Sequence, residues 1–149
     1  MQKICQQAEE MLSELEGLPL SMARKLDPCE LYELLFGKSY VNYEEAPNGT
    51  QEKRVHFKFC IHGQCDVRIG EERLTGWATD GELQRALRGF LGTAVEEAAL
   101  GAGNVLRLRF PAGAIEFCPI PDRDEAWRLF SQDRARVHLV AAFSDMAFE

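Results

Sequence analysis

The sequence has no apolar run approaching the roughly 18 residues needed to span a bilayer. Its longest such stretch, Leu139 to Phe143, is only the length of a strand. It also lacks an excess of positive charge: 17 Lys and Arg against 24 Asp and Glu leave a net charge of −7. That mean field repels phosphate backbones, and the basic residues are dispersed among acids, so neither nucleic acid nor membrane is expected as a partner. An acidic surface favours a basic protein partner. The opening MQKICQQAEEMLSELEG places Glu9, Glu10, Glu14 and Glu16 where a secretory signal requires an uncharged apolar stretch, so no export signal is expected. The five cysteines, Cys5, Cys29, Cys60, Cys65 and Cys118, are odd in number and scattered through apparently regular segments. A disulfide-stapled secreted domain does not look like this, and a reducing cytoplasm is the expected setting.

What is present is the composition of an ordinary globular chain, 46% hydrophobic and 28% charged over 149 residues. There is no internal repeat, low-complexity tract or linker, which predicts one α+β domain over residues 1–149. Ile4, Ala8, Met11, Leu12 and Leu15 recur at intervals of three and four, predicting a helix that ends at Gly17. Asp27-Pro28-Cys29-Glu30 supplies an N-cap, a proline at the first helical position and a carboxylate ahead of Leu31, Leu34 and Leu35. It predicts a second helix to about Phe36, capped by Gly37, so that residues 1–37 form a helical segment packing on a sheet. Ala46-Pro47-Asn48-Gly49 reads as a loop. Val55, Phe57, Phe59 and Ile61 then alternate with His56, Lys58, Cys60 and His62, the clearest strand signal in the chain. A hairpin is expected next, pairing Ile61 with Cys65, Phe59 with Val67 and Phe57 with Ile69, because that register keeps apolar opposite apolar. It leaves Lys58, Cys60, Asp66 and Arg68 on a wetter face.

Thr79-Asp80-Gly81-Glu82 forms a capping box before Leu83, Ala86, Leu87 and Phe90, predicting a third helix stopped by Gly92. Thr93 to Leu100, Val105 to Phe110 and Ala114 to Cys118 read as short strands. In the second hairpin of this group Phe110 is expected opposite Ile115, Leu108 opposite Phe117 and Arg109 opposite Glu116. Asp122-Arg123-Asp124-Glu125 can cap a short helix carrying Trp127, Leu129 and Phe130, and Val137, Leu139, Ala141 and Phe143 alternate as a last strand. The expected fold is therefore α+β, an antiparallel sheet with helices packed on one face in the order ααβββαβββαβ.

No catalytic, cofactor or metal motif stands out. Cys60-Ile-His62-Gly-Gln-Cys65 is the only Cys and His cluster, but the expected register sends the two cysteines to opposite faces and no second pair completes a tetrahedron. Cys60 with His56 or His62 fails as a nucleophile pair, because same-strand neighbours two apart lie about 7 Å from one another. His138 with Ser144 and Asp145 lacks a nucleophile elbow. Gly101-Ala-Gly-Asn104 joins two strands and is a turn, where a phosphate loop needs a helix N-terminus next. Asn48-Gly49-Thr50 matches a glycosylation acceptor that a cytoplasmic chain would not present. Trp127 is expected in the core. Trp77 sits in the glycine-bounded connection Thr75-Gly76-Trp77-Ala78, where an aromatic anchors a loop or meets a partner; with Tyr40 and Tyr43 it is a candidate for partner binding.

The strand Cys65-Asp-Val-Arg-Ile69, the helix ending Leu91-Gly92 before Val95, the strand Asn104-Val-Leu-Arg-Leu-Arg-Phe110 with its glycine turn to Ile115, and Glu125-Ala-Trp127 are similar to segments of a class of small bacterial proteins. Some of that class are thought to be immunity proteins of polymorphic toxin systems. The resemblance covers less than half the chain and carries over no functional residue. A small, acidic chain without a convergent catalytic set predicts a non-enzymatic protein-binding domain, and the resemblance implies an immunity-type inhibitor. The alternative from the residues alone is a small enzyme whose acid and base are scattered, with Asp80, Glu82, Glu116 and His138 as candidates.

Overall fold

The computed structural model describes residues 2–26, 31–37, 40–42, 52–54, 57–62, 65–70, 72–74, 80–121, 125–131 and 138–148. Strands dominate. Helix α1 (Gln2–Ser13) precedes β1 (Leu20–Leu26), β2 (Leu31–Phe36), β3 (Tyr40–Asn42), β4 (Glu52–Arg54), β5 (Phe57–His62), β6 (Cys65–Ile69) and β7 (Glu72–Leu74). Helix α2 (Asp80–Arg88) follows, then β8 (Glu97–Leu100), a 3-10 turn (Ala102–Asn104), β9 (Leu106–Phe110), β10 (Gly113–Pro119), β11 (Trp127–Ser131), β12 (His138–Ala141) and β13 (Met146–Phe148). They form a six-stranded sheet ordered β1-β2-β5-β11-β12-β13, a five-stranded sheet ordered β7-β6-β10-β9-β8, and a β3-β4 ribbon, every pairing antiparallel.

The expected α+β fold with helices on one face is thus overturned: two sheets share one core. From the first sheet come Tyr32, Leu34, Phe36, Phe59, Ile61, Trp127 and Leu129, and from the second Val67, Leu106, Leu108, Ile115 and Phe117, all buried. The Phe59 ring lies 4.7 Å from Phe117 of the opposite sheet and 5.5 Å from Trp127 beside it. Two half-buried sheets satisfy each other's apolar faces in this way, so the chain needs little helix.

The second helix and the helix after Pro121 are both strands. In β2 the leucine spacing fits a helix, but Tyr32, Leu34 and Phe36 also alternate, and pairing with β1 and β5 selects that period. The apparent cap at residues 27–30 lies outside the described residues. The N-terminal segment is accordingly one helix and two strands. In β11, Trp127, Leu129 and Ser131 point inward and Arg128 and Phe130 outward, which fits neither a helical stripe nor a helical Phe130. Trp127 is nevertheless in the core, fully buried, its Nε1–H donating to the Asn104 carbonyl at 3.1 Å.

The hairpin expected after Ile61 does not form. β5 pairs β2 and β11, whereas β6 pairs β10 and β7 in the other sheet. The chain crosses between layers here, and alternation reads the same for either partner. The predicted inward set survives, with Phe57, Phe59, Ile61 and Val67 buried and Ile69 packed against them. The outward set does not stay wet, because Cys60 and Asp66 are each 5% exposed. The β9-β10 hairpin forms two residues out of the expected register: Ile115 faces Leu108, Phe117 faces Leu106, and Glu116 faces Arg107 in place of Arg109. A shift of two leaves every side chain on its expected face.

Helix α1 buries Ala8, Met11 and Leu12, and the turn after it buries Leu15. The Ala98 N–H of edge strand β8 donates to the Glu16 carboxylate at 3.2 Å, so that edge is partly covered. Helix α2 ends at Arg88, short of the expected end; Phe90 lies in the turn that follows, and Gly92 takes a left-handed φ of 81°. The 3-10 turn ties the sheets together, Asn104 Nδ2 donating to the carbonyls of Ala142 at 2.7 Å and Asp145 at 3.0 Å. Among the described residues, no helix is long and apolar enough to cross a membrane.

Candidate functional site

Register across the six-stranded sheet builds the densest polar cluster described. On the face turned away from the core, Glu33 of β2, Cys60 of β5 and Arg128 of β11 pair in one row. Leu35, Lys58, Phe130 and His138 form the next row. Residues far apart in sequence become neighbours because antiparallel partners present their side chains side by side.

Arg128 is the centre of the cluster. Its Nε–H lies 3.2 Å from both Glu125 carboxylate oxygens, and Nη2–H donates to Glu125 Oε1 at 2.5 Å. Its Nη1 is 3.2 Å from His138 Nδ1. Both members of the Arg128–Glu125 pair are less than a quarter exposed, so screening by water is reduced. Around the Phe130 ring stand Lys58 Nζ at 5.6 Å, the Arg128 guanidinium at 5.8 Å and the His138 ring, edge-on, at 4.0 Å. The two cations are within the range of cation–π attraction. Lys58 Nζ also reaches to 3.8 Å from the carboxylate of Glu33, which is only 3% exposed.

Cys60 lies under this layer. Burial, with the Glu33 carboxylate adding to it, pushes its thiol up to about 11 from 9.0; Lys58 and Arg128 offset only part of that. At neutral pH it is a protonated thiol, and a thiol is a poor nucleophile.

The outer face of the five-stranded sheet is built differently. Glu116 lies between Arg68 of β6 and Arg107 of β9 by register, and Arg109 Nη2 is 3.9 Å from Glu97, with both side chains about half exposed. Around Glu116 this face is a solvated lattice of alternating charge, whereas Asp66, opposite Cys118 on the same face, is withdrawn from water.

The structure separates two of the four acid and base candidates. Glu116 and His138 lie on the outer faces of different sheets, with the whole core between them. Asp80 and Glu82 lie on α2, and their side chains are outside the described set. Cys65 opens β6 in a different sheet from Cys60 and His62. Tyr40 opens β3 opposite Arg54, with its side chain not described; Trp77 and Tyr43 lie outside the described residues. Among the described residues, no group of three or more His, Cys, Asp and Glu is arranged to hold a metal. Sequence reasoning missed Glu33, Arg128 and Phe130 as a unit because their segments read as helices. Strand alternation in Tyr32-Leu34-Phe36 and Trp127-Leu129 was the signal that could have placed them on one face.

Comparisons with protein-family models, curated proteins and solved structures find no match for this chain.

Proposed function

We propose that the chain is a non-enzymatic protein-binding domain of the immunity type, a cytoplasmic inhibitor that docks a toxin partner through the outer face of the six-stranded sheet. The observation that carries the reading is Arg128, clamped by Glu125 and His138 beside Phe130. Arginine and aromatic residues are enriched at binding hot spots, and an arginine already fixed in place loses less rotamer freedom on binding. The net charge of −7 favours a basic partner, chiefly by speeding encounter. Resemblance of the Cys65 to Phe130 stretch to small bacterial proteins, some of them thought to be immunity proteins, points the same way. A protonated Cys60 and a separated Glu116 and His138 give the enzyme alternative no support.

The test is co-expression with toxins encoded beside the gene. Growth should be rescued by the wild type and by Arg109→Glu, and rescue should fail for Arg128→Glu although that variant still folds. Rescue by none of them would sink the immunity reading, and full rescue by folded Arg128→Glu would move the docking face elsewhere.

A further inference from the structure

The five-stranded sheet gathers arginines from separate strands into one row. Register places Arg73 of β7 opposite Arg68 of β6, Glu116 of β10 on the other side of Arg68, and Arg107 of β9 beyond Glu116. The row thus holds one glutamate for three arginines, in a chain whose net charge is −7. Arg109 does not add to this excess, because Glu97 lies 3.9 Å from it. Arg68 and Arg107 are exposed and Glu116 is half-buried between them, so the row is open to a partner. Like charges placed directly opposite each other destabilise a strand pair, and Arg68 and Arg73 are so placed. An acidic group seated over them offsets that cost.

We propose that this row docks an acidic helix of a partner protein, one whose exposed stripe carries Glu at position i, Lys at i+3 or i+4, and Glu at i+7. Spacing and sign both fit. Neighbouring strands lie about 4.8 Å apart, so Arg68 and Arg107, on either side of β10, are about 9.6 Å apart at the backbone. Residues i and i+7 of a helix are about 10.5 Å apart on one face, with i+3 and i+4 midway between them. A helix laid across the strands therefore brings its glutamates to Arg68 and Arg107 and its lysine to Glu116. Guanidinium groups take carboxylates in paired hydrogen bonds, which favours arginine at such a surface. A nucleic-acid backbone is charged at every nucleotide and would set a phosphate against Glu116. The row lies on the other sheet from Arg128, and its docking role does not rest on the immunity reading.

Titration of the labelled full chain at low salt with two alanine-based helical peptides, followed by amide and arginine Nε–H correlation spectra, tests the proposal. One peptide carries the Glu, Lys, Glu stripe; the other has the same composition with the order Glu, Glu, Lys. The first should shift the Arg68 and Arg107 Nε–H cross-peaks and the amides of β6, β9 and β10 to saturation, and should bind roughly fivefold tighter than the second. The Arg128 cross-peak should not move. Binding should be lost in the double variant Arg68→Glu with Arg107→Glu. Equal affinity of the two peptides, shifts confined to other faces, or unchanged binding by the folded double variant would each overturn the proposal. So would a single-stranded oligonucleotide that shifts the same arginines at lower concentration than the striped peptide, since the occupant would then be nucleic acid. The comparison of the two peptides on the wild type decides the matter even if the double variant does not fold.

Discussion

The outer faces of the two sheets carry similar residue types in similar alternation, yet they differ in kind. On the five-stranded sheet, Arg68, Arg107 and Arg109 reach into water beside Glu116 and Glu97. On the six-stranded sheet, Glu33 and Cys60 are almost sealed and Arg128 is clamped. Charge alternation along a strand therefore says which residues face outward, and burial decides how strongly they interact. Exposed pairs are worth little, whereas breaking a pair withdrawn from water leaves a charge without compensation.

The largest effect should come from the floor that both faces share. Phe59→Ala removes a fully buried ring packed on Phe117 and Trp127 and should cost about 3–5 kcal/mol in denaturant unfolding. Because it undercuts both sheets, a variant that melts only the six-stranded sheet would show that the layers do not share a core.

Lys58→Ala comes next. Viewed as a wet-face residue in a strand, Lys58 should be nearly neutral to stability; its position 3.8 Å from the 3%-exposed Glu33 raises the expected loss to about 1 kcal/mol. Arg107→Ala on the other sheet should stay within about 0.5 kcal/mol. Equal losses would erase the distinction between the faces.

The cysteines give a chemical version of the same contrast. Cys60 and Cys118 occupy the outer faces of the first and second sheets, one buried and the other half-buried. Under native conditions at pH 8, peptide-resolved alkylation should mark Cys118 well before Cys60, and the difference should vanish in denaturant. The Cys60 thiol also sets a pH dependence. Its folded pKa of about 11 lies above the ordinary 9.0, so between those values the folded state binds more protons than the unfolded one. Its contribution to stability is full below pH 9 and is lost as pH rises toward 11. Cys60→Ala should flatten that fall; an unchanged slope would mean that the thiol is solvated.

These contrasts explain how far the sequence could be read. Helices α1 and α2 were legible because each has one apolar stripe and a stop glycine. The inward faces of β5, β9 and β10 were legible because alternation survives any even shift of register. Strands β2 and β11 were not: Leu31, Leu34 and Leu35 fit a helical spacing as well as Tyr32, Leu34 and Phe36 fit a strand, and Asp27-Pro28 has the sequence of a helix cap. Partner choice for β5 was also hidden, since nothing in Phe57-Lys-Phe-Cys-Ile61 distinguishes β6 from β11. Only long-range pairing brings Glu33, Cys60 and Arg128 into one row, so the candidate site was invisible while β2 and β11 were read as helices.

A pair of double-mutant cycles tests the contrast most directly, one on Arg128 with Glu125 and one on Arg109 with Glu97. The first coupling energy should be about 1–2 kcal/mol and should persist in salt; the second should be below about 0.5 kcal/mol and should fade as salt is added. Two small and equally salt-sensitive couplings would contradict the account, because Arg128 would then be an ordinary surface arginine.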